Sequence, residues 1–98
     1  MPEEVRKDLE KWEEKTKNFM MKIRNTEKKA VKGLRNDAKA LAQEGKAIVA
    51  KIDKKMEKAE EKAKDALKKL RERTVKGHED LSKTWFEATG DHLGEPIE

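Results

Sequence analysis

Apolar side chains recur along the first third of the chain at alternating steps of four and three residues. This spacing is the heptad pattern of a helix that packs against other helices. Its members, two of which are threonines, are Val5, Leu9, Trp12, Thr16, Phe19, Ile23, Thr26 and Ala30. The pattern predicts an amphipathic α-helix that begins near the N-terminus.

The apolar stripe continues in phase through the rest of the chain. Its later members are Leu34, Ala38, Leu41, Gly45, Ile48, Ile52, Met56, Ala59, Ala63, Ala66, Leu70, Thr74, Leu81, Trp85 and Ala88. The mean step over the whole stripe is about 3.6 residues, the period of a straight α-helix. Because one continuous helix requires such a phase, the pattern predicts an all-α protein with one dominant long amphipathic helix, packed as a coiled coil or on partner helices.

Glycines inside the stripe allow a second interpretation. Gly45 and Gly77 each cost a helix about 1 kcal/mol relative to alanine, and each has polar neighbours that suit a turn. The alternative prediction is a two- or three-helix hairpin or bundle with breaks near Gly45 and Gly77.

The ends of the helical body carry their own signals. Pro2 followed by Glu3 and Glu4 is typical of a helix start, because proline is tolerated in the first turn and carboxylates complement the helix dipole. Gly90 is placed to act as a left-handed C-cap. We therefore expect a helical body over residues 1–90 and an irregular acidic tail over residues 91–98.

Composition limits how much core the chain can form. Only 34% of the residues are hydrophobic, ten of these are alanine, and 47% of the chain is charged. A domain this short buries only about 60 to 65% of its unfolded surface even at normal composition. We therefore expect the stripe to be covered by a partner, either a second copy or a larger complex. The predicted partner-interface residues are Val5, Leu9, Trp12, Phe19, Ile23, Leu34, Leu41, Ile48, Ile52, Met56, Leu70, Leu81, Trp85 and Phe86.

Two aromatic residues near the end of the body are consecutive. Trp85 and Phe86 point about 100° apart on a helix, so they cannot both lie on one narrow stripe. One of them is expected to contact something else, and a large aromatic side chain in a partner's pocket is a common interface hot spot.

Charge divides the chain into a basic body and an acidic end. Residues 1–76 hold 24 basic and 15 acidic side chains, whereas residues 77–98 hold one basic and six acidic ones. Such asymmetry is typical of a body that binds DNA or RNA, of head-to-tail electrostatic pairing between copies, or only of a solvated surface. The candidate polyanion contacts, chosen where acidic neighbours are few, are Lys32, Arg35, Lys39, Lys46, Lys51, Lys54 and Lys55.

Catalytic and metal-binding motifs do not stand out. The chain has no cysteine, and its two histidines, His78 and His92, lack the spacing of a metal pair, so both are expected at the surface. A rod or narrow bundle offers no pocket that would perturb a pKa and hold a substrate. We expect no enzyme activity, no cofactor and no metal.

Membrane insertion is also not expected. The longest unbroken apolar stretch is Ala47–Ala50, far below the roughly 20 residues that a transmembrane helix needs. The acidic N-terminus does not resemble a signal peptide, so the expected setting is the cytoplasm or the interior of an organelle or virion. The leading hypothesis is a non-catalytic assembly, scaffold or accessory subunit, the second a polyanion-binding protein, and the third an amphipathic helix on a lipid or granule surface. The alanine-rich centre of the stripe argues against the third.

Overall fold

The fold consists of helices joined by short connections. The computed structural model describes residues 2–97, except for the side chain of Pro2. Its helices are α1 (Pro2–Asn25), α2 (Lys28–Val31), α3 (Arg35–Glu57) and α4 (Glu61–Thr89), with a 3₁₀ turn at Lys32–Leu34 between α2 and α3. No strand occurs within residues 2–97. The all-α prediction is confirmed, and α1 begins at Pro2 with Glu3 and Glu4 in its first turn, as expected.

The three long helices form a bundle. Helices α1 and α3 are antiparallel, as two ion pairs show: Asp8 with Lys51, and Lys15 with Glu44. The residue numbers of the partners rise along α1 and fall along α3. Glu13 of α1 pairs with Arg73 of α4, and Met20 of α1 accepts a hydrogen bond from Thr84 of α4, so these two helices are parallel and α4 is antiparallel to α3. The Cα atoms extend over 49 × 21 × 16 Å.

The chain therefore forms the three-helix bundle of the alternative prediction and not the single long helix. A continuous helix over residues 3–89 would be about 130 Å long and would leave its apolar stripe in water. Folding into three helices turns the stripe of each helix toward the other two. Burial stabilises each large apolar side chain by about 1.5 to 3 kcal/mol, which favours the bundle.

The breaks between helices lie at positions different from those predicted. Glu27 has an extended backbone (φ −61°, ψ 144°), and so does Glu60 (φ −75°, ψ 163°). The hydroxyl of Thr26 donates a hydrogen bond to the main-chain oxygen of Lys22 and closes the end of α1. The chain thus turns at residues 26–27 and 58–60, where neither glycine nor proline occurs.

Gly45 and Gly77 lie inside helices because of Trp12. The Trp12 ring is 1% exposed and packs between α3 and α4. A Cβ atom on Gly45 would lie 2.7 Å from Cζ2 of Trp12, and one on Gly77 would lie 2.8 Å from Cζ3. Both distances are shorter than carbon atoms tolerate, so the two glycines provide the space for the indole rather than a turn.

The core follows the predicted stripe closely. Its largest fully buried side chains are Trp12, Trp85, Leu9, Ile23, Ile52, Leu67, Leu81, Val5, Val31, Thr16 and Thr74. Thr74 satisfies its hydroxyl by donating to the main-chain oxygen of Leu70 at 2.8 Å. The stripe was expected to need a partner because a single helix cannot cover its own apolar face. In the bundle, three helices of one chain each turn that face toward a common core.

The C-terminal end has the predicted helix cap and, in addition, a tail that packs on the bundle. Gly90 caps α4 in the left-handed region (φ 77°), and its N–H donates to the oxygen of Phe86 at 2.7 Å. The predicted C-cap is therefore confirmed. Residues 91–97 are irregular, yet Leu93 is buried among the core residues, so this segment packs on the bundle.

Candidate anion-binding surface

Most of the side chains predicted to form a partner interface face the interior of the bundle. Ten of them are buried: Val5, Leu9, Trp12, Phe19, Ile23, Leu41, Ile52, Leu70, Leu81 and Trp85. Leu34, Ile48 and Met56 are partly buried against the same core. Phe86 is the exception, with 44% of its surface exposed. In this conformation the stripe is covered by the chain itself, and Phe86 is the predicted interface residue that reaches solvent.

The predicted polyanion contacts do not form one surface. Lys32 and Arg35 lie at one end of α3, whereas Lys54 and Lys55 lie at the other, beside a groove at the α3–α4 turn. A helix of 23 residues separates these ends by about 34 Å. Lys51, between them, pairs with Asp8 on α1 at 3.2 Å. The seven residues are thus distributed along the bundle.

Basic residues do converge where α1 passes into α3. This end of the bundle carries six exposed cations from three elements: the last turn of α1, the short helix α2, and the turn that leads into α3. We call this group the basic end, defined as Lys22, Arg24, Lys28, Lys29, Lys32 and Arg35. Glu27 is the one acidic residue in that segment of the sequence.

The basic end accounts for the net charge of the protein. Residues 22–35 contain six basic and one acidic side chain, a balance of +5, and the whole chain carries +4. The other 84 residues therefore hold 19 basic against 20 acidic side chains, a balance of −1. Lys32 and Arg35 of this segment were among the predicted polyanion contacts, whereas Lys22, Arg24, Lys28 and Lys29 were not, although a count of charges in a short sequence window would have found them.

Four of the nineteen cations outside the basic end form ion pairs within residues 2–97. Arg73 donates through Nη2 and Nε to the two carboxylate oxygens of Glu13, at 2.6 and 3.3 Å. Arg71 donates to Asp53 at 2.8 Å, and Lys15 lies 3.6 Å from Glu44. None of the six cations of the basic end has an ion-pair partner within residues 2–97. Their charge is available to an anion from outside.

An aromatic pair lies at the same end of the bundle, near the end of α4. The rings of Phe86 and His92 are stacked, with centroids 4.8 Å apart and planes inclined by 29°. The left-handed turn at Gly90 reverses the chain and brings His92 back over Phe86. Trp85, the preceding residue, is 1% exposed, which confirms that the two aromatic neighbours point to different surroundings.

His78 is buried, contrary to the expected surface position. It is 2% exposed, and its Nε2 has no hydrogen-bond partner within residues 2–97. Burial lowers the pKa of His78 from its ordinary value of 6.5, and the positive charge of Lys46 lowers it further. The imidazole lines a cavity of about 230 Å³ that residues of the C-terminal tail, including His92, also line. His92 is exposed, as expected.

Metal-binding groups and membrane-spanning helices were also sought in the described part of the chain. Within residues 2–97, no group of three histidine or acidic side chains is arranged to hold a metal ion. None of the helices described is both long and apolar enough to cross a bilayer.

Comparison with protein-family models, curated proteins and solved structures finds no match for this chain. The feature that distinguishes the surface of this molecule is the concentration of cations at the basic end, where the sequence holds a single acidic residue.

Proposed function

We propose that this protein is a non-catalytic nucleic-acid-binding bundle and that the basic end is its binding surface. The observation that carries the proposal is that a single segment of 14 residues, 22–35, holds a balance of +5 with none of its cations paired within residues 2–97. Phosphate backbones are bound chiefly by such clusters, because each contact releases condensed counterions.

The dimensions of the bundle suit this role. Its cross-section is about 21 × 16 Å, and duplex DNA carries one negative charge per about 1.7 Å of axis. A stretch of nucleic acid across the basic end would therefore present enough phosphates for all six cations. Lysine and arginine side chains on an end formed by two turns can also adjust to the path of the phosphates.

The assembly hypothesis loses its main argument in this fold. It rested on an apolar stripe that needed a partner, and ten of its fourteen residues are buried within one chain. The lipid-surface hypothesis needs the same apolar face exposed to a bilayer. Nucleic-acid binding requires neither, since it uses side chains that are already exposed.

The proposal is tested by fluorescence anisotropy with labelled 20-nucleotide single-stranded and duplex DNA at 50 and 200 mM salt. Six phosphate contacts predict a slope of log affinity against log salt of about −5 for a duplex, and a loss of affinity of about 10³-fold over this range. Absence of binding at 50 mM salt would reject the proposal.

A charge-matched pair of variants locates the surface. The triple variant K28Q/K29Q/K32Q removes three charges from the basic end and is expected to reduce the salt slope by about 3. The control K54Q/K62Q/K68Q removes three exposed lysines from other parts of the bundle and is expected to change the slope by less than 1. Equal effects of the two variants would show that binding is not at the basic end.

A further inference from the structure

Phe86 and His92 form an aromatic pair that is exposed at the surface of the bundle. Phe86 is 44% exposed, while the core at this level is already filled by Trp85 and Leu81. Its ring carries the His92 imidazole on one face. An exposed stacked pair of rings is a surface on which a further flat ring can stack.

The register of α3 and α4 places this pair beside basic residues. Arg71 of α4 pairs with Asp53 of α3. Lys46 of α3 is close enough to His78 of α4 for its positive charge to lower the pKa of the imidazole. A step of seven residues back along α3 thus matches a step of seven forward along α4, as antiparallel helices require. A further eight residues in the same register bring Phe86 level with Ala38. Because the helix rises 1.5 Å per residue, Lys39 and Arg35 lie within about 2 and 5 Å of that level along the axis.

The side of α4 that bears the pair is the side next to α3. His92 lines the same cavity as His78 and Ser82, and His78 is the residue of α4 that the charge of Lys46 on α3 reaches. On α3, Arg35, Lys39 and Lys46 follow one another at steps of four and seven residues and so share one face. The aromatic pair and the α3 residues Arg35 and Lys39 therefore lie at similar heights on neighbouring helices.

The carboxylates near the aromatic pair limit how a nucleic acid could be oriented on this surface. Glu87 on α4 and Asp91 in the tail adjoin the two rings in sequence, so the surroundings of the pair also carry negative charge. The cations Arg35 and Lys39 lie on the α3 side. A nucleic acid could lie with its phosphates along α3, next to these cations, and with one base directed toward Phe86, on which it would stack.

We propose that the ligand is single-stranded nucleic acid, bound with its phosphates on the basic end and a base stacked on the Phe86–His92 pair. This inference rests on the proposed function and narrows it. Bases in a duplex are stacked on one another, whereas a single strand can offer an unpaired base to an aromatic ring. The single strand is therefore the form that can use both parts of the surface.

The experiment compares a labelled 12-nucleotide single-stranded DNA with the duplex of the same length, bound to the full chain at 50 mM salt. Loss of one base–aromatic stack is expected to weaken single-strand binding of Phe86→Ala by about 5- to 150-fold, with duplex binding unchanged within about twofold. The matched control is Met21→Ala, which truncates a similarly exposed apolar side chain (50%) that has no aromatic face, and it is expected to change neither affinity.

Each other outcome has a defined meaning. If Phe86→Ala leaves single-strand binding unchanged, or weakens duplex binding equally, the stacking proposal is overturned. The proposed function would still stand if K28Q/K29Q/K32Q lowered the salt slope in the anisotropy measurement at 50 and 200 mM salt. If the wild-type chain binds neither form at 50 mM salt, both proposals fail. Circular dichroism of each variant shows whether its helices are retained.

Discussion

The indole nitrogen of Trp12 donates a 2.7 Å hydrogen bond to the main-chain oxygen of Leu41, across the interface of α1 and α3. The same ring lies against Gly45, one turn later on α3, and against Gly77 on α4. One side chain thus fixes the relative positions of all three long helices. Its nitrogen is satisfied, as buried indole nitrogens usually require.

Alanine at either glycine beside Trp12 is expected to destabilise the protein. Alanine improves helix propensity by about 1 kcal/mol, but overpacking a filled core costs about 1–3 kcal/mol, so Gly45→Ala and Gly77→Ala should each lower the free energy of unfolding by up to about 2 kcal/mol. Urea denaturation measures this. Gly33→Ala is the control, because its added Cβ would meet nothing within 4 Å. A Gly45→Ala variant more stable than the wild type would contradict the packing described.

The cost of alanine at position 45 should depend on the indole itself. Phenylalanine at position 12 lacks the fused ring whose Cζ2 atom lies nearest to the Cβ position of Gly45. In a double-mutant cycle, Gly45→Ala is therefore expected to cost at least about 1 kcal/mol less in the Trp12→Phe background than in the wild type. Additive costs would show that the clash is with another group.

Acid should destabilise the bundle through His78. Its pKa is lowered by burial and by the charge of Lys46, so the unfolded chain binds a proton more readily than the folded one. The resulting stability is fully present above the unfolded value of 6.5 and is lost as the pH falls from there through the lowered pKa of the folded state.

Thermal unfolding followed by circular dichroism between pH 7.5 and 5 tests this dependence on His78. The Tm of the wild type is expected to fall with pH more steeply than that of His78→Gln. His92→Gln, which changes an exposed imidazole, should behave like the wild type. Parallel curves for the wild type and His78→Gln would contradict the prediction.

The chain is expected to be a compact monomer in the absence of nucleic acid. Its large stripe residues are buried within one copy, so association would gain little further apolar burial. Sedimentation equilibrium at micromolar concentration should give the mass of one chain, 11.4 kDa, and thermal unfolding should be cooperative. A stable dimer, or a gradual loss of helicity, would contradict a self-sufficient core.

Sequence reasoning identified the core residues but not their partners. Val5, Leu9 and Trp12 were found from spacing alone, because burial on a helix requires that spacing wherever the covering surface comes from. The same stripe fits one long helix or three short ones. Residues 26–27 and 58–60 contain neither glycine nor proline, so no local signal at Glu27 or Glu60 distinguished the two. Gly33 lies in the 3₁₀ turn before α3, but it was not predicted to be a break.

The candidate surface was predicted only in part. Lys32 and Arg35 were selected from the sequence, whereas Lys22 and Lys28 lie on the other side of a turn that the long-helix prediction did not contain. On a continuous helix these residues would be spread along a rod. Their convergence at one end of a bundle depends on where the chain reverses direction.

The sequence by itself determined that this protein is helical, which side chains avoid water, and where its last helix ends, because helix period, propensity and the cap at Gly90 are local properties. Only the tertiary structure decided that the chain covers its own stripe, that Gly45 and Gly77 make room for Trp12, and that His78 is buried. These features depend on which helices meet, and that is settled by the burial gained when three faces close on one core.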